Sequence, residues 1–382
     1  MSKGNSIKFI SNLKVINFRS YKELDFKSLD KNIVLVGENG SGKTNLLEAL
    51  SLIAPGRGLR SSDKAKFFRI SNENLNREKS WAVHLKLIHN DEMVEISTGI
   101  SSSLKTHNPF RTFSINGKII KSSEISPYIT FNWLTPQMDS IISGSESGRR
   151  KFIDRLISNF DYGHLGRLKR LEKNFRERLI ILENKRYDQK WLSLIEKKIS
   201  EDGIAVVESR MSFISSLDEI TACPDEKSFT SVRMQMKGDI ETYISKGSAI
   251  EAEDKFYTFL QKNRSFENLA IGPNASSLVL WHGNSGMTSE YCSTGQQKAI
   301  LLSLVLGYSK YLNKIFGSPP ILLLDEINAH MDSKNFQAFY EYSKFYNGQI
   351  WMTGTDIRLF KSLKKKNKIE FFNINNSNVT KL

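Results

Sequence analysis

The sequence predicts an α/β head, with a mixed sheet and helices, that is split in sequence by an inserted α-helical arm. Three features of the 382 residues support this fold class: a glycine-rich phosphate-binding motif near the start, an acidic motif near the end, and a long stretch of helical periodicity between them. We expect residues 1–140 and 266–382 to form the head, and residues 141–265 to form the arm.

The glycine-rich motif fits the P-loop pattern G-x-x-x-x-G-K-T. It follows the apolar run Ile33–Val36 and precedes the helical pattern Leu46–Leu50, and P-loops occur between a strand and a helix in this way. Lys43 is expected to reach the β- and γ-phosphates of ATP, and the Thr44 hydroxyl is expected to bind Mg²⁺. The residues predicted to bind nucleotide here are Gly37, Glu38, Asn39, Gly40, Ser41, Gly42, Lys43 and Thr44.

The acidic motif is the apolar run Ile321–Leu324 followed by Asp325 and Glu326, a Walker B pattern. A buried strand would present both carboxylates at its carboxyl end, where sheets of this class bind ligands. Asp325 is expected to hold Mg²⁺, and Glu326 is expected to polarise the attacking water. Lys43 lies about 280 positions before Asp325, so the two ends of the chain must assemble one nucleotide site.

Local patterns predict the remaining elements of the first half. Two short strands are expected at Leu13–Phe18 and Tyr21–Phe26, and a buried strand at Ile129–Leu134. Hairpins are expected around Asn90–Asp91 and Asn116–Gly117, which are turn-forming pairs.

Helical periodicity dominates the predicted arm, whose helices should each be at most about 40 Å long. One helix starts near Ser145, and the next has a charged face from Arg167 to Arg178 opposite an apolar face that includes Leu165 and Ile180. Further elements are predicted at 190–216 (helix), 229–236 (strand), 239–263 (helix), 278–281 (strand), 298–316 (helix), 332–346 (helix) and 349–352 (the final core strand).

Composition bounds the partners and the compartment. The formal net charge of +14 favours an anionic partner, with nucleic acid first, although a basic protein without such a partner is the alternative. Two widely spaced cysteines, Cys223 and Cys292, favour a reducing compartment. Neither a signal-peptide pattern nor a membrane-length apolar run is present, so we expect a cytoplasmic protein without a membrane partner.

Further motifs resemble those of ABC-type ATPases. Ser293–Lys298 resembles their signature motif, and Asn328–Asp332 resembles their D-loop, with Asp332 as its acidic residue. Gln137 stands where the Q-loop glutamine would be, and Leu13–Ser20 resembles the start of SMC-type heads. The predicted fold is therefore an ABC-type P-loop ATPase head with an arm inserted between its motifs.

Within that superfamily the chain resembles the RecF family of bacterial recombination and repair proteins. The resemblance rests on Gly56–Gly58, on Gly144–Asp154 with its double arginine, on Ser293–Lys298 and on the Walker B and D-loop segments. It implies a weak ATPase that forms an ATP-dependent homodimer and binds single- and double-stranded DNA at gaps or junctions. It also implies a RecR-like mediator protein as partner and a role in loading a recombinase.

The resemblance implies roles for residues outside the P-loop and the Walker B motif. Ser293, Gly295 and Gln296 would contact the γ-phosphate held by the other subunit. Gln137 would join Lys43 and Glu326 in catalysis and Thr44 and Asp325 around Mg²⁺. Arg19 is a predicted phosphate contact, and Thr353 or Thr355 would sense the γ-phosphate where transporters carry a histidine. Candidate DNA contacts are Arg57, Arg60, Arg149, Arg150, Arg167, Lys169, Arg170 and Lys173.

Plainer interpretations of these residues stay open. Gln137 and Arg19 also fit ordinary strand-end positions, and charged helix faces are usually just solvated. Asn274 and Ala275 stand where the family is expected to carry His-Arg, which leaves a contact there in doubt.

Two other function classes are the alternatives, an ABC-type ATPase subunit of a transporter and another SMC-like ATPase, such as one of a defence system. The long spacing between the P-loop and the signature motif and the basic charge argue against the transporter. The short tail after Met352 lacks the acidic cluster of a fused nuclease.

Overall fold

A computed structural model describes residues 8–28, 32–60, 62–70, 80–89, 92–100, 110–183, 188–223, 229–264, 272–327, 331, 333–360 and 369–382. The chain forms two compact units. The head unit consists of Met1–Asp139, Pro224–Phe229 and Leu301–Leu382, and the arm unit consists of Ser140–Cys223 and Thr230–Ile300.

The head unit contains an antiparallel sheet of six strands in the order β2-β1-β4-β5-β6-β7. Buried and exposed side chains alternate along most of these strands, so one face of the sheet is apolar. The strands are β1 Lys8–Phe18, β2 Tyr21–Lys27, β4 Trp81–His89, β5 Glu92–Ile100, β6 Thr112–Ile115 and β7 Lys118–Ile120.

A second six-stranded sheet of the head unit carries the nucleotide motifs, in the order β14-β13-β3-β12-β11-β8. Its strands are β3 Asn32–Val36, β8 Phe131–Leu134, β11 Ile321–Leu324, β12 Ile350–Gly354, β13 Ile369–Asn375 and β14 Asn378–Lys381. All neighbours pair in parallel except β14, which is antiparallel to β13. Every residue of β8, β11 and β12 is buried, as expected for a parallel sheet that is covered on both faces.

The two sheets of the head pack through aromatic rings and one buried amide. The Phe26 ring lies 5.2 Å from the Trp351 ring and 4.5 Å from the Phe372 ring. Gln349 accepts from the Ile10 amide at 2.9 Å and donates to the Ile10 carbonyl at 3.1 Å. The buried amide therefore fixes how β1 lies against the sheet that carries the motifs.

The head unit also contains helices α1 Lys43–Ser51, most of α8 Thr294–Phe316, and α9 Ser333–Phe345. The short helix α2, Asp139–Ser143, starts at the last residue of the first head segment. In the part of the chain that the structure describes, no helix is both long and apolar enough to cross a membrane.

The arm unit is mainly helical. Its elements are α3 Glu146–Ile157, α4 His164–Glu183, α5 Gln189–Ala222, β9 Val232–Lys237, α6 Asp239–Lys246, α7 Ala249–Lys262 and β10 Ser277–His282. Strands β9 and β10 pair antiparallel. A core of apolar side chains, including Phe175, Ile199 and Phe256, packs α4, α5 and α7 together.

The observed boundary between arm and head differs from the predicted one. We expected the arm to end at residue 265, whereas the arm unit extends to Ile300. The reason is the pairing of β10 with β9, which attaches the segment before the signature motif to the arm.

The arm helices also depart from the prediction in length and continuity. Helix α5 has 34 residues, about 51 Å at 1.5 Å per residue, because no proline interrupts it before Cys223. The helix predicted over 239–263 is broken at Gly247, because Ser248 and Glu251 form a capping box that starts α7.

The predicted faces of α4 are partly wrong. Arg178, expected on the exposed face, is 2% exposed, whereas Leu165 and Ile180, expected in the apolar face, are exposed. An ion pair with the buried Glu196 explains the position of Arg178, since this partner cannot be recognised from the period of α4 alone.

The predicted final core strand, Gln349–Met352, is observed as β12 but is not the last strand. Strands β13 and β14 follow it. The basic segment 361–368, which lies between β12 and β13, is outside the described residues.

Candidate nucleotide-binding site

The phosphate-binding loop of the head unit lies between β3 and α1, at the carboxyl end of the parallel strands. Gly40 and Gly42 have φ angles of 82° and 115°, in the left-handed region that favours glycine. They let the chain turn from strand to helix, and α1 begins at Lys43 with first-turn N–H groups that lack helical partners. Such N–H groups and the helix dipole attract an anion.

The Lys43 ammonium reaches across this loop. Its Nζ donates to the carbonyl oxygens of Gly37 and Glu38, each at 2.7 Å. Burial lowers the pKa of Lys43, while the charges of Glu326 and Asp325 act in the opposite direction. An oriented, desolvated cation beside two carboxylates is well placed to meet phosphate oxygens.

Asp325, at the end of β11, accepts hydrogen bonds from two threonines. Thr44 Oγ1 donates to its Oδ1 at 3.0 Å, and Thr353 Oγ1 donates to the same oxygen at 2.8 Å. The Glu326 amide in turn donates to Thr353 Oγ1 at 2.8 Å. Burial raises the pKa of Asp325, and the two hydroxyl hydrogen bonds oppose this effect. Thr353 therefore ties both acidic residues of the Walker B motif together.

Glu326 has a φ angle of 49°, which costs a non-glycine residue about 1 kcal/mol. Strain of this kind concentrates at functional sites, where surrounding contacts maintain it.

The two predicted switch residues differ in burial: Thr353 is fully buried between the acidic residues, whereas Thr355 is exposed beyond the end of β12.

The oxygen donors around Asp325 fit a magnesium ion. Neighbouring ligands of an octahedral Mg²⁺ at 2.0–2.1 Å lie about 2.9 Å apart, and Thr44 Oγ1 lies 3.0 Å from Asp325 Oδ1. Both oxygens can therefore belong to one shell. Among the described residues, no three His, Cys, Asp or Glu side chains form a metal-binding group on their own, so nucleotide phosphate and water would have to supply the remaining ligands.

Gln137 lies at the same edge of this sheet, beyond the strand next to β11. Strands β8 and β11 pair in parallel, and the Asp325 amide donates to the Leu134 carbonyl at 2.9 Å. Gln137 follows shortly after, exposed in the 3-10 turn Pro136–Met138. The structure thus brings the P-loop, Thr353, Asp325 and Gln137 to the carboxyl ends of the adjacent strands β3, β12, β11 and β8.

Arg19, a predicted phosphate contact, pairs with a glutamate that the sequence analysis missed. Its guanidinium donates to both carboxylate oxygens of Glu48 at 2.8 Å and to Ser62 Oγ at 2.9 Å. Glu48 lies fully buried in α1 and also pairs with Arg60 at 3.6 Å. The sequence feature that could have identified Glu48 is its position as the single charged residue in the apolar pattern Leu46–Leu50. Glu48 holds both arginines next to the helix that follows the P-loop, and the phosphate contact of Arg19 stays a prediction.

The C-terminal hairpin of β13 and β14 supports the P-loop, which the sequence analysis did not anticipate. Its turn residues Asn376 and Ser377 have φ angles of 47° and 63°. The Ser377 amide donates to the Ser41 carbonyl at 2.9 Å. A Cβ added at Gly37 would lie 2.2 Å from the Ile374 carbonyl oxygen, so only glycine fits there.

The signature-like segment belongs to the arm unit, where it begins helix α8. The Ser293 amide donates to Gln296 Oε1 at 2.8 Å and Ser293 Oγ accepts from the Gln296 amide at 3.4 Å, which is a capping box. Ser293 and Gly295 are exposed, and a Cβ at Gly295 would meet only open space. This helix start is accessible to another molecule. The D-loop residue Asp332 lies outside the described residues.

The candidate DNA contacts of α4 are partly neutralised. Lys169 and Lys173 are exposed. Arg170 pairs with Asp202 through two hydrogen bonds of 3.0 and 2.5 Å, and Arg167 pairs with Asp161. The two lysines are therefore the members of this group most accessible to a polyanion.

The other candidate DNA contacts differ widely in accessibility. Arg57 is exposed after α1, and Arg60 shares the Glu48 carboxylate with Arg19. Arg149 is 4% exposed, and Arg150 donates to a backbone carbonyl at 2.7 Å. Burial and pairing of Arg149 argue against a direct contact with DNA.

Comparison with known proteins identifies the family. Residues 9–378 match the family model described as "RecF/RecN/SMC N terminal domain". Curated relatives named "DNA replication and repair protein RecF" include one from Mesorhizobium japonicum, 37% identical over 93% of both chains, and one from Rhizobium rhizogenes, 34% identical over 98% of both.

Solved structures show the same fold. The "recombination mediator protein RecF-ATP in RecFOR pathway" covers 100% of both chains with a TM-score of 0.81 at 22% identity. An Smc head domain from Pyrococcus furiosus gives a TM-score of 0.52 at 17% identity over 98% of this chain and 96% of that one. From its sequence relatives and its SMC-like ATPase head, this chain belongs to the RecF family.

Proposed function

We propose that this chain is an ATP-dependent DNA-binding protein of DNA replication and recombinational repair. The observation that carries the proposal is the assembly of the P-loop, Thr353, Asp325 and Gln137 at one sheet edge. The relatives are named for DNA replication and repair over nearly the whole chain, which supports the DNA part. The net charge of +14 adds a physical reason for a nucleic-acid partner.

Binding of ATP with Mg²⁺ would use the groups at this edge. Lys43 would exchange its bonds to loop carbonyls for bonds to the β- and γ-phosphates. Thr44 and Asp325 would hold Mg²⁺ from the protein side, with Gln137 as a further ligand. Glu326 would orient and polarise the attacking water. We expect slow hydrolysis, because one subunit carries only part of the groups that would surround the γ-phosphate.

The remaining groups would come from a second copy of the chain. The exposed helix start at Ser293, Gly295 and Gln296 offers backbone N–H groups and a hydroxyl to an anion. Facing the γ-phosphate of the partner subunit, it would complete the site and join the two copies through ATP. Hydrolysis would weaken this contact and lower the affinity of the two copies for each other.

DNA at gaps or junctions is the proposed target of the dimer, with a RecR-like mediator as protein partner and the cytoplasm as compartment. The exposed Lys169, Lys173 and Arg57 are the candidate contacts that the structure leaves most accessible. A transporter-associated or defence-system ATPase is the alternative, and the names of the relatives favour the repair function over it.

The test is the affinity for a gapped duplex, measured by fluorescence anisotropy without nucleotide, with ADP and with a non-hydrolysable ATP analogue. We expect the analogue to strengthen binding at least about tenfold, and the affinity to fall steeply as salt rises, because bound phosphates release counterions.

The matched control is Lys43→Met, which should bind DNA equally with and without the analogue. Equal affinity of the wild-type chain in all three nucleotide states would contradict the proposed function.

A further inference from the structure

The double arginine of α3 contacts the two ends of one segment of the arm unit. Arg150 Nη1 donates to the Ser276 carbonyl at 2.7 Å, just before β10 begins. Arg149 Nη2 donates to Glu290 Oε1 at 3.1 Å, in the 3-10 turn Ser289–Tyr291 directly before the signature segment. The two arginines thus hold the segment that leads into Ser293 at its start and at its end.

The contact of Arg149 with Glu290 is not needed to form α3. Ser145 already caps this helix by accepting from the Gly148 amide at 3.2 Å. Glu146 pairs with Arg149 within the first turn of the helix, and Arg149 Nη1 also donates to the Ile142 carbonyl at 3.1 Å. These bonds fix the arginine side chain against α3 and the preceding helix α2, and its bond to Glu290 reaches the loop before the signature segment.

The two partners of this contact differ in burial. The Arg149 side chain is 5% exposed, whereas that of Glu290 is 59% exposed. On the other side of the turn, Gln297 Nε2 donates to the Ser289 carbonyl at 3.0 Å. The 3-10 turn is therefore held by α8 from one side and by α3 from the other.

We propose that Arg149, acting through Glu290, is a positioning residue that fixes the orientation of the signature loop for the ATP held by a second subunit. Buried Arg149 would act on dimerisation without touching nucleotide or DNA. The charges reinforce the contact, since Glu146 and Glu290 together raise the pKa of Arg149 against the effect of its burial. This inference rests on the proposed ATP-dependent dimer and adds a residue to its mechanism.

The first test measures dimerisation with a non-hydrolysable ATP analogue. Glu290→Ala should weaken the dimer about tenfold, the loss expected for one charge-assisted hydrogen bond, while the affinity of the monomer for the analogue stays within about twofold. Glu290→Arg, which places a second cation against Arg149, should weaken it further. Glu172→Arg, which reverses an exposed carboxylate of α4, is the matched control and should dimerise normally.

The second test separates a role in trans from a merely structural one. Glu290→Arg is mixed with Lys43→Met, and ATP hydrolysis is measured at a protein concentration where each variant alone is inactive. In the mixed dimer, the intact P-loop of the first variant meets the intact signature loop of the second, so one of two sites should recover. A structural defect, or a role at the chain's own nucleotide, predicts no recovery.

Two results would overturn the inference: normal dimerisation of Glu290→Arg, or no recovery in the mixture. Both differ from failure of the proposed function, in which the wild-type chain itself would not dimerise with the analogue.

Discussion

At the scale of single residues, the nucleotide site depends on a buried carboxylate whose charge is unfavourable without a cation. Asp325 is 4% exposed, and burial raises its pKa although Thr44 and Thr353 donate to it. The same charge is what Mg²⁺ binding requires. Stability and activity therefore make opposite demands on this residue.

Asp325→Asn separates these demands, because asparagine keeps an oxygen acceptor for both threonines and removes the charge. A raised pKa in the folded state means that ionisation of Asp325 destabilises the fold as pH rises through that pKa. We therefore expect the nucleotide-free variant to be more stable than wild type at pH 8. The difference should shrink toward the usual aspartate pKa of about 3.9, while ATP hydrolysis is lost at every pH. Urea unfolding from pH 8 to pH 5 measures this, and a variant less stable than wild type at pH 8 would contradict it.

Glu326→Gln tests the residue assigned to the attacking water. We expect kcat to fall by about 10²–10⁴-fold, the usual contribution of a general base, with ATP affinity retained. Single-turnover hydrolysis and size measurements with ATP should show a persistent dimer. A variant that hydrolyses ATP at the wild-type rate would remove Glu326 from this role.

At the scale of elements, two buried arrangements could not be predicted from local pattern. Strand β13 is defined by parallel pairing with β3, which lies more than 300 positions earlier, so its neighbourhood in sequence gave no hint of a P-loop contact. The Arg178–Glu196 pair of α4 and α5 likewise depends on how two helices meet. Local patterns did predict most strands and helices, because alternation and helical periodicity are properties of each segment alone.

Removal of the C-terminal hairpin turn should weaken nucleotide binding. Truncation after Asn375 deletes β14 and the bond from the Ser377 amide to the Ser41 carbonyl. Loss of one such support is expected to lower ATP affinity about fivefold. Lys381→Ala, which removes the ion pair with Glu370 and keeps the turn, is the control. Isothermal titration calorimetry with ATP measures this affinity. A truncated chain that folds and binds ATP with wild-type affinity would contradict a supporting role of the hairpin.

The buried ion pairs of the arm should contribute strongly to its stability. Glu196 accepts from Arg178 at 3.1 Å and from Arg264 at 2.6 Å, and it is fully buried. Glu196→Ala leaves Arg178 buried without a counter-charge and should cost about 3–5 kcal/mol. Glu172→Ala, in an exposed pair with Arg176, should cost at most about 0.5 kcal/mol. Denaturant unfolding of both variants checks this, and similar losses for the two would contradict it.

At the scale of the whole molecule, the motifs predicted the fold class and the family. Within each of the P-loop, Walker B and signature segments, the residue types and their spacing are set by the chemistry of the site. They did not predict where the signature segment belongs. It was assigned to the head, whereas pairing of β10 with β9 places it in the arm unit. The sequence also could not predict which of the candidate DNA contacts are accessible. Their partners, such as Asp202 and Glu290, become visible only in the folded chain.

The central claim is that ATP joins two copies of this chain, with the P-loop of one subunit facing the Ser293 segment of the other. The most direct measurement is light scattering of the wild-type chain with and without ATP and a gapped DNA, alongside Ser293→Arg. We expect one chain's mass without nucleotide, twice that mass with ATP, and a variant that binds ATP but keeps the mass of one chain. A wild-type chain that stays monomeric with ATP and DNA, or a Ser293→Arg variant that dimerises normally, would contradict it.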